Sequence, residues 1–222
     1  MRVAWIPARR GSKRLPEKNL RRIGGSSLVE IAVDHALTSG LFDAVYVDTD
    51  SGSIEEQGIR AGAHSLGLRP AELSQDETPT SRSLFEWLSR HPLGEEIESV
   101  VILQPSSPLR GSNDLLYFAS KLSASTNSAA SCSEPWQPPI DLVMLEGESW
   151  TRLVEDFHRN AGEVVFIDGA IFFCRTKWFL AKRQILVPGE TKLVSISRLA
   201  GLDVDDLFQL NVAKRLLENK LD

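Results

Sequence analysis

The chain has 222 residues, 42% of them hydrophobic and 25% charged, with a formal net charge of −5. That composition is ordinary for a water-soluble globular protein and excludes collagenous, low-complexity and disulfide-framed classes, since Cys132 and Cys174 are the only cysteines and form no Cys-x-x-Cys pair. His35, His64, His91 and His158 are not spaced to hold zinc, and the apolar runs Val100 to Leu103 and Ile171 to Cys174 are far too short to cross a bilayer. The N-terminal apolar run is too short for a signal-peptide core, so the expectation is a cytoplasmic protein with no membrane partner.

Charge is unevenly distributed. Residues 9–22 carry seven basic side chains (Arg9, Arg10, Lys13, Arg14, Lys18, Arg21, Arg22) against the single acid Glu17, a local +6 that leaves −11 on the rest. One concentrated basic loop on an acidic protein points to a local anion site and away from a nucleic-acid surface, which spreads positive charge over a face. A solvated basic turn is the bland alternative, and charge alone does not separate the two.

In chain order, residues 2–8 read as a short buried strand ending at the basic loop. Leu28, Ile31, Ala32, His35 and Ala36 recur at helical spacing, with Ser26 or Ser27 as the cap and Gly40 as the stop. A strand over 44–47, a helix over 53–61, a short strand over 63–67 and a helix from Thr80 to His91-Pro92 follow. Ser99 to Gln104 is a buried strand, and 115–122 is a helix capped by Ser112 or Asn113. This β-α alternation with apolar strands predicts a three-layer α/β fold with a mainly parallel sheet. After Ser128 the pattern changes: strands or hairpins are expected at 129–132, 142–145, 150–154 and 164–174, with turns at 146–147 and 160–162. A short helix at 176–182, extended pieces over 185–196 and an amphipathic helix over 206–221 complete the chain.

The loop Pro7-Ala8-Arg9-Arg10-Gly11-Ser12-Lys13-Arg14-Leu15-Pro16-Glu17-Lys18-Asn19 follows the first strand directly, and ligands of open α/β sheets bind at strand carboxyl ends. It contains neither Gly-x-x-x-x-Gly-Lys-Ser/Thr nor Gly-x-Gly-x-x-Gly. It resembles instead the signature Ile-Pro-Ala-Arg-x-Gly-Ser-Lys-x-[apolar]-x-x-Lys-Asn of the acylneuraminate cytidylyltransferases. Three further segments are similar to that family in the same order: Arg69-Pro70-Ala71-Glu72-Leu73, Leu103-Gln104-Pro105-Ser106-Ser107-Pro108-Leu109-Arg110, and Asp203-Val204-Asp205.

The resemblance implies a nucleotidyltransferase-like, Rossmann-like domain over 1–222, with 133–175 as a β-rich dimerisation insertion. It also implies a homodimer that joins CTP to a nine-carbon 2-keto sugar acid and releases pyrophosphate. Ala8, Arg9, Gly11, Ser12, Lys13, Asn19 and Arg69 would then bind nucleotide, and Arg9, Lys13 and Lys18 would stabilise phosphate charge. Gln104, Asp168 and Gly169 would meet the sugar acid, and Asp203 and Asp205 would bind Mg²⁺. Nucleotidyl transfer needs in-line positioning and neutralisation of phosphate charge more than covalent help, and these residue types supply that.

Blander readings stand beside these. Arg10 and Arg14 fall at variable positions and read as solvated charges. Asp203 and Asp205 can cap the last helix. Asp48-Thr49-Asp50 resembles a glycosyltransferase metal motif, which keeps open an enzyme that uses nucleotide sugars, and a non-catalytic binder is a third possibility. The sugar end departs from the sialic acid pattern. Phe166-Ile167-Asp168-Gly169-Ala170 replaces Arg-Pro-Asn-Gly-Ala, and Pro135 to Asp141 lacks a His-Pro-x-Lys character. This points to a nonulosonate other than N-acetylneuraminate, such as a legionaminate, a pseudaminate or a deaminated relative.

Overall fold

The computed structural model describes residues 1–92, 94–137, 142–146, 149–152 and 164–218. The expected turn at 160–162 and parts of the turn at 146–147, of the strand at 150–154 and of the C-terminal helix lie outside the described residues. β1 (Arg2–Pro7) leads into a long loop that carries a 3-10 turn at Lys18–Leu20 and then a small ribbon of β2 (Arg22–Ile23) and β3 (Ser26–Ser27). α1 (Leu28–Ser39), β4 (Ala44–Asp48), α2 (Gly52–Arg60), α3 (Thr80–Arg90), β5 (Ser99–Leu103) and α4 (Ser112–Ser120) follow. The second half supplies β6 (Ser128–Cys132), the hairpin of β7 (Val143–Glu146) and β8 (Ser149–Arg152), then β9 (Ile171–Arg175), α5 (Thr176–Lys182), β10 (Lys192–Ser195) and α6 (Leu207–Glu218).

Local chemistry sets the helix ends. Ser27 opens α1 through a capping box: its N–H donates to Glu30 Oε2 at 2.8 Å and its hydroxyl accepts from the Glu30 N–H. Gly40 closes the helix at φ +64, a conformation costly for a side chain. The first helix therefore begins and ends where the sequence predicts.

The central sheet runs in the order β10-β6-β9-β5-β1-β4. β1 pairs in parallel with β4 and β5, β6 pairs in parallel with β10, and β9 alone is antiparallel to both its neighbours. The two faces of β1 are both covered. Ala4 and Ile6 pack with Val29, Val33, Leu115 and Phe118 of α1 and α4, whereas Val3 and Trp5 pack with Leu84, Trp87 and Phe179 of α3 and α5. That is why β1 reads as continuously apolar. A third cluster, built from Leu15, Ile23, Leu28, Val204, Leu210 and Ala213, ties the basic loop and its ribbon to α6.

Two expectations change. The strand at 63–67 reduces to one bridge between His64 and Tyr46, because two backbone bonds at His64 satisfy the edge of β4. The insertion expected over 133–175 is shorter, because β9 belongs to the central sheet. Among the described strands of that span, only the β7–β8 hairpin stands apart from the central sheet. No helix among them is long and apolar enough to cross a membrane.

Two stability predictions follow from this packing. A methyl group on Gly58 of α2 would sit 2.8 Å from Val47 Cγ1 on β4. Gly58→Ala therefore lowers stability by about 1–2 kcal/mol by urea unfolding, although helix propensity alone predicts a gain of about 1 kcal/mol. His35 on α1 has its pKa pushed down to about 4 by burial and by the Arg110 charge. The unfolded chain takes up that proton near pH 6.5 and the folded chain does not, so stability falls as pH drops from 6.5 towards 4. His35→Gln recovers about 1–3 kcal/mol of that loss in urea midpoints compared at pH 4.5 and 7.

Candidate active site

The basic loop leaves the carboxyl end of β1, which lies between β4 and β5 at the point where chain order reverses across the sheet. Such a crevice is where doubly wound sheets bind ligands. The Ala8 N–H donates to the Asp48 carbonyl at 3.0 Å, the Arg10 N–H donates to Asp50 Oδ1 at 2.7 Å, and Asn19 Nδ2 returns to the Arg9 carbonyl at 2.9 Å. The first two tie the loop to the end of β4, and the third folds it back on itself. Glu17, at φ +54, makes the turn that brings Lys18 and the buried Asn19 inward.

The loop walls a cavity of about 320 Å³ lined by Pro7, Arg9, Gly11, Ser12, Lys13, Arg14, Lys18, Asn19, Asp76, Gln104, Pro105, Ser106 and Asp205. Carboxylates from distant parts of the chain hold its cations in two sets. Asp76 Oδ1 and Oδ2 meet Arg9 Nη1 and Lys13 Nζ at 2.6 and 2.5 Å. Asp205 pairs with Lys18 Nζ at 2.9 Å and also with Arg14. Lys18 is the most enclosed of the four, its side chain only 17% exposed. Arg14, read from sequence as a solvated charge, is therefore a partner in the site, although its side chain is largely exposed.

An adjoining cavity of about 230 Å³ shares Pro7, Arg9, Asp76 and Gln104 and adds Arg69, Leu73, Thr78, Thr80 and Ser83. Arg69 is held rigidly: Nε donates to Asp48 Oδ2 at 2.9 Å, Nη2 donates to the Asp48 carbonyl at 2.7 Å, and the guanidinium lies 5.8 Å from the Trp5 ring. This overturns the glycosyltransferase reading of Asp48-Thr49-Asp50. The Asp48 carboxylate is 2% exposed and engaged by Arg69 and, at 3.6 Å, by Arg90, and Asp50 caps the Arg10 N–H. Burial holds the Asp48 pKa above its ordinary value despite these arginines.

Asp203 and Asp205 arrive on the segment before α6, which docks through the Val204 N–H to the Ser106 carbonyl at 2.7 Å. They do not cap that helix. Asp206 does, accepting from the Gln209 N–H at 2.9 Å, while Gln209 Oε1 accepts from the N–H groups of Asp205 and Asp206. Burial, partly offset by a Ser106 hydrogen bond and the Lys18 charge, raises the Asp203 pKa, and Asp205 adds repulsion. Asp203 Oδ1 is buried without a partner. Burial also acts to raise the Asp205 pKa, but the Lys18 hydrogen bond and the Lys18 and Arg14 charges outweigh it and bring the value down. An orphaned carboxylate oxygen beside a second carboxylate fits a hard divalent cation that keeps water and phosphate oxygens as its other ligands. Among the described residues no cluster of three or more His, Cys, Asp or Glu side chains forms a protein-only metal cage.

The residues expected to meet the sugar acid divide. Gln104 lines both cavities. Gly169 and Asp168 precede β9, whose first residue Ile171 lies opposite Leu103, and they line neither cavity. The Asp168 carboxylate turns inward, however. It accepts from the Ser131 hydroxyl and from the Ala170 N–H at 3.0 Å, and it packs where Gly201 leaves no room for a side chain. Arg110, fully buried, donates from Nη1 to the carbonyls of Gln104 and Ala170 at 3.2 and 2.6 Å and so joins the two segments. Sequence reasoning missed Asp76 and the role of Arg110. Asp76 carries no spacing signal, whereas Arg110 ends a motif already singled out.

Comparisons with known proteins agree with this geometry. Residues 3–158 match the family described as Cytidylyltransferase. The chain is 26% identical to CMP-N,N'-diacetyllegionaminic acid synthase of Legionella pneumophila over 97% of its own length and 96% of that protein. It is 38% identical to an N-acylneuraminate cytidylyltransferase of Streptococcus agalactiae over 91% of the chain, spanning only 50% of that longer relative. It is 25% identical to pseudaminic acid cytidylyltransferase of Campylobacter jejuni over 95% of the chain and 94% of that protein. In fold it is similar to a CMP:2-keto-3-deoxy-manno-octonic acid synthetase solved with CTP, at a TM-score of 0.72 and 18% identity over 99% of both chains. On the extent of these matches and the four motif segments in order, the chain belongs to the cytidylyltransferase family, within the acylneuraminate group that its motifs resemble.

Proposed function

We propose that the protein transfers CMP from CTP to the anomeric hydroxyl of a nonulosonate and releases pyrophosphate, acting with Mg²⁺ as a cytoplasmic homodimer. The observation that carries the reading is the cavity at the carboxyl ends of β1 and β5. It faces Arg9, Lys13, Arg14 and Lys18 from one loop and Asp205 from another. Four cations around so small a space suit a polyanion, and the adjoining cavity beside Arg69 and Ser83 suits the nucleoside.

In this reading Arg9, Ser12 and Lys13, with the backbone of Ala8 and Gly11, hold the triphosphate. Lys18, kept inward by the Glu17 turn and by Asn19, neutralises charge on the departing pyrophosphate. Gln104 orients the sugar acid so that its hydroxyl meets the α-phosphorus in line, and Arg110 fixes the carbonyls on either side of that contact. Asp203 and Asp205 would hold Mg²⁺, which when bound supplies Lewis-acid charge on the phosphate oxygens. The sugar end favours a nonulosonate other than N-acetylneuraminate, such as a legionaminate, a pseudaminate or a deaminated relative. Phe166, half exposed, stands where the sialic acid pattern carries arginine, and the relatives include enzymes named for both sugars. The homodimer reading is supported by Leu142, Val143, Met144 and Leu145. All are exposed on or beside an isolated two-stranded hairpin, and such a hairpin needs a partner surface to be stable.

Pyrophosphate release, with CTP, UTP, ATP and GTP crossed against a panel of 2-keto sugar acids, tests the reading. The expected result is turnover only with CTP and a nonulosonate other than N-acetylneuraminate. Clear preference for N-acetylneuraminate refutes the sugar assignment, and CTP binding without any turnover favours a binder. Asp203→Asn separates a metal role from a structural one. It lowers kcat/KM by about 100-fold or more. It leaves thermal stability unchanged or raised, because it removes a buried charge whose ionisation burial already opposes. Light scattering at micromolar concentration gives twice the 24.6 kDa chain mass; a monomer mass refutes the dimer.

A further inference from the structure

We infer that Asp76 is the resident counter-ion of the phosphate site, exchanged for triphosphate when nucleotide binds, and so sets how tightly triphosphate and pyrophosphate are held. The inference rests on the CTP reading above. One carboxylate spans both cations, its Oδ1 at 2.6 Å from Arg9 and its Oδ2 at 2.5 Å from Lys13. Asp205 pairs with the other two cations of the cavity, Arg14 and Lys18. Asp76 alone of the site's carboxylates lines both cavities. It therefore lies across the passage that a nucleoside triphosphate would occupy.

The residues around Asp76 favour a counter-ion over a metal ligand. Its contacts are cations, and among the described residues no cluster of metal-ligating side chains includes it. Its place in the fold favours exchange over a fixed support. The loop is anchored at its base, where Ser83 Oγ donates to the Leu73 carbonyl at 3.1 Å and Thr78 Oγ1 donates to the Glu72 carbonyl at 3.3 Å. Gln75, Asp76 and Glu77 at the tip are exposed, so the carboxylate can leave without disturbing the core. A bound triphosphate offers the same two cations more negative charge and more acceptor oxygens. The carboxylates of Asp76 and Glu77 would face that charge with the same sign, and repulsion drives the tip away. When pyrophosphate is formed, Asp76 returns to the cations and helps expel it.

Asp76→Asn keeps the shape of the side chain and removes its charge. Binding of CTP and of inorganic triphosphate is measured by calorimetry at fixed ionic strength, with melting temperature as the check on folding. The expected result is about three- to tenfold tighter binding of both ligands, with pyrophosphate inhibiting at a correspondingly lower concentration. Asp76→Glu, which restores the charge, binds within about twofold of the parent chain. Unchanged or weaker binding in a folded Asp76→Asn variant overturns the inference, because it makes Asp76 a support that orients Arg9 and Lys13. If the parent chain binds inorganic triphosphate but not CTP, the CTP reading fails while the triphosphate comparison still decides the role of Asp76. If the parent binds neither probe, both readings fall.

Discussion

Four like charges from one loop, those of Arg9, Lys13, Arg14 and Lys18, face the same small cavity, and their mutual repulsion is the constraint around which the site is arranged. In water such a group would spread apart. The fold brings it together by opposing it with carboxylates that the chain holds far away in sequence, Asp76 after β4 and Asp205 before α6. Each ion pair at the rim is weak on its own. Their collective effect is to offset that repulsion before a polyanion binds, so that the incoming ligand meets cations already gathered at one place.

The rest of the architecture serves that arrangement. Both faces of β1 are buried, which fixes where Pro7 ends and the loop begins. The Arg69 guanidinium, tied to the Asp48 carboxylate and carbonyl, turns the end of β4 into a rigid wall. Leu15 and Ile23 plug the far end of the loop into the cluster with Val204 and Leu210, so the segment carrying Asp203 and Asp205 moves with the loop it faces. Arg110 performs the equivalent service between β5 and β9.

Much of this was legible in sequence where local rules apply. Ser27, Glu30 and Gly40 announce α1 by capping chemistry, and the apolar runs at β1 and β5 announce a doubly covered sheet. The basic loop was readable as a candidate anion site from its composition and from its position after a strand. What remained hidden depends on contacts distant in sequence. The burial of Asp48 follows from Arg69 and Arg90, which no spacing rule links to it, so its Asp-x-Asp pattern invited a metal reading. Capping by Asp206 in place of Asp203 or Asp205 depends on the Gln209 side chain folding back. The antiparallel course of β9 was invisible because a strand's direction is set by where its connection starts, and that connection crosses the long stretch after β6.

The bridge between Ser133 and Phe166 bears on how this chain can vary. Two backbone hydrogen bonds, at 2.9 and 2.8 Å, join these residues just beyond β6 and shortly before β9. The excursion between them is therefore tied shut at its neck. A change in that stretch that keeps both residues of the bridge leaves the ends of β6 and β9 held together by these two bonds. The Ser133–Phe166 pair thereby lets that stretch vary apart from the crevice at the ends of β1 and β5.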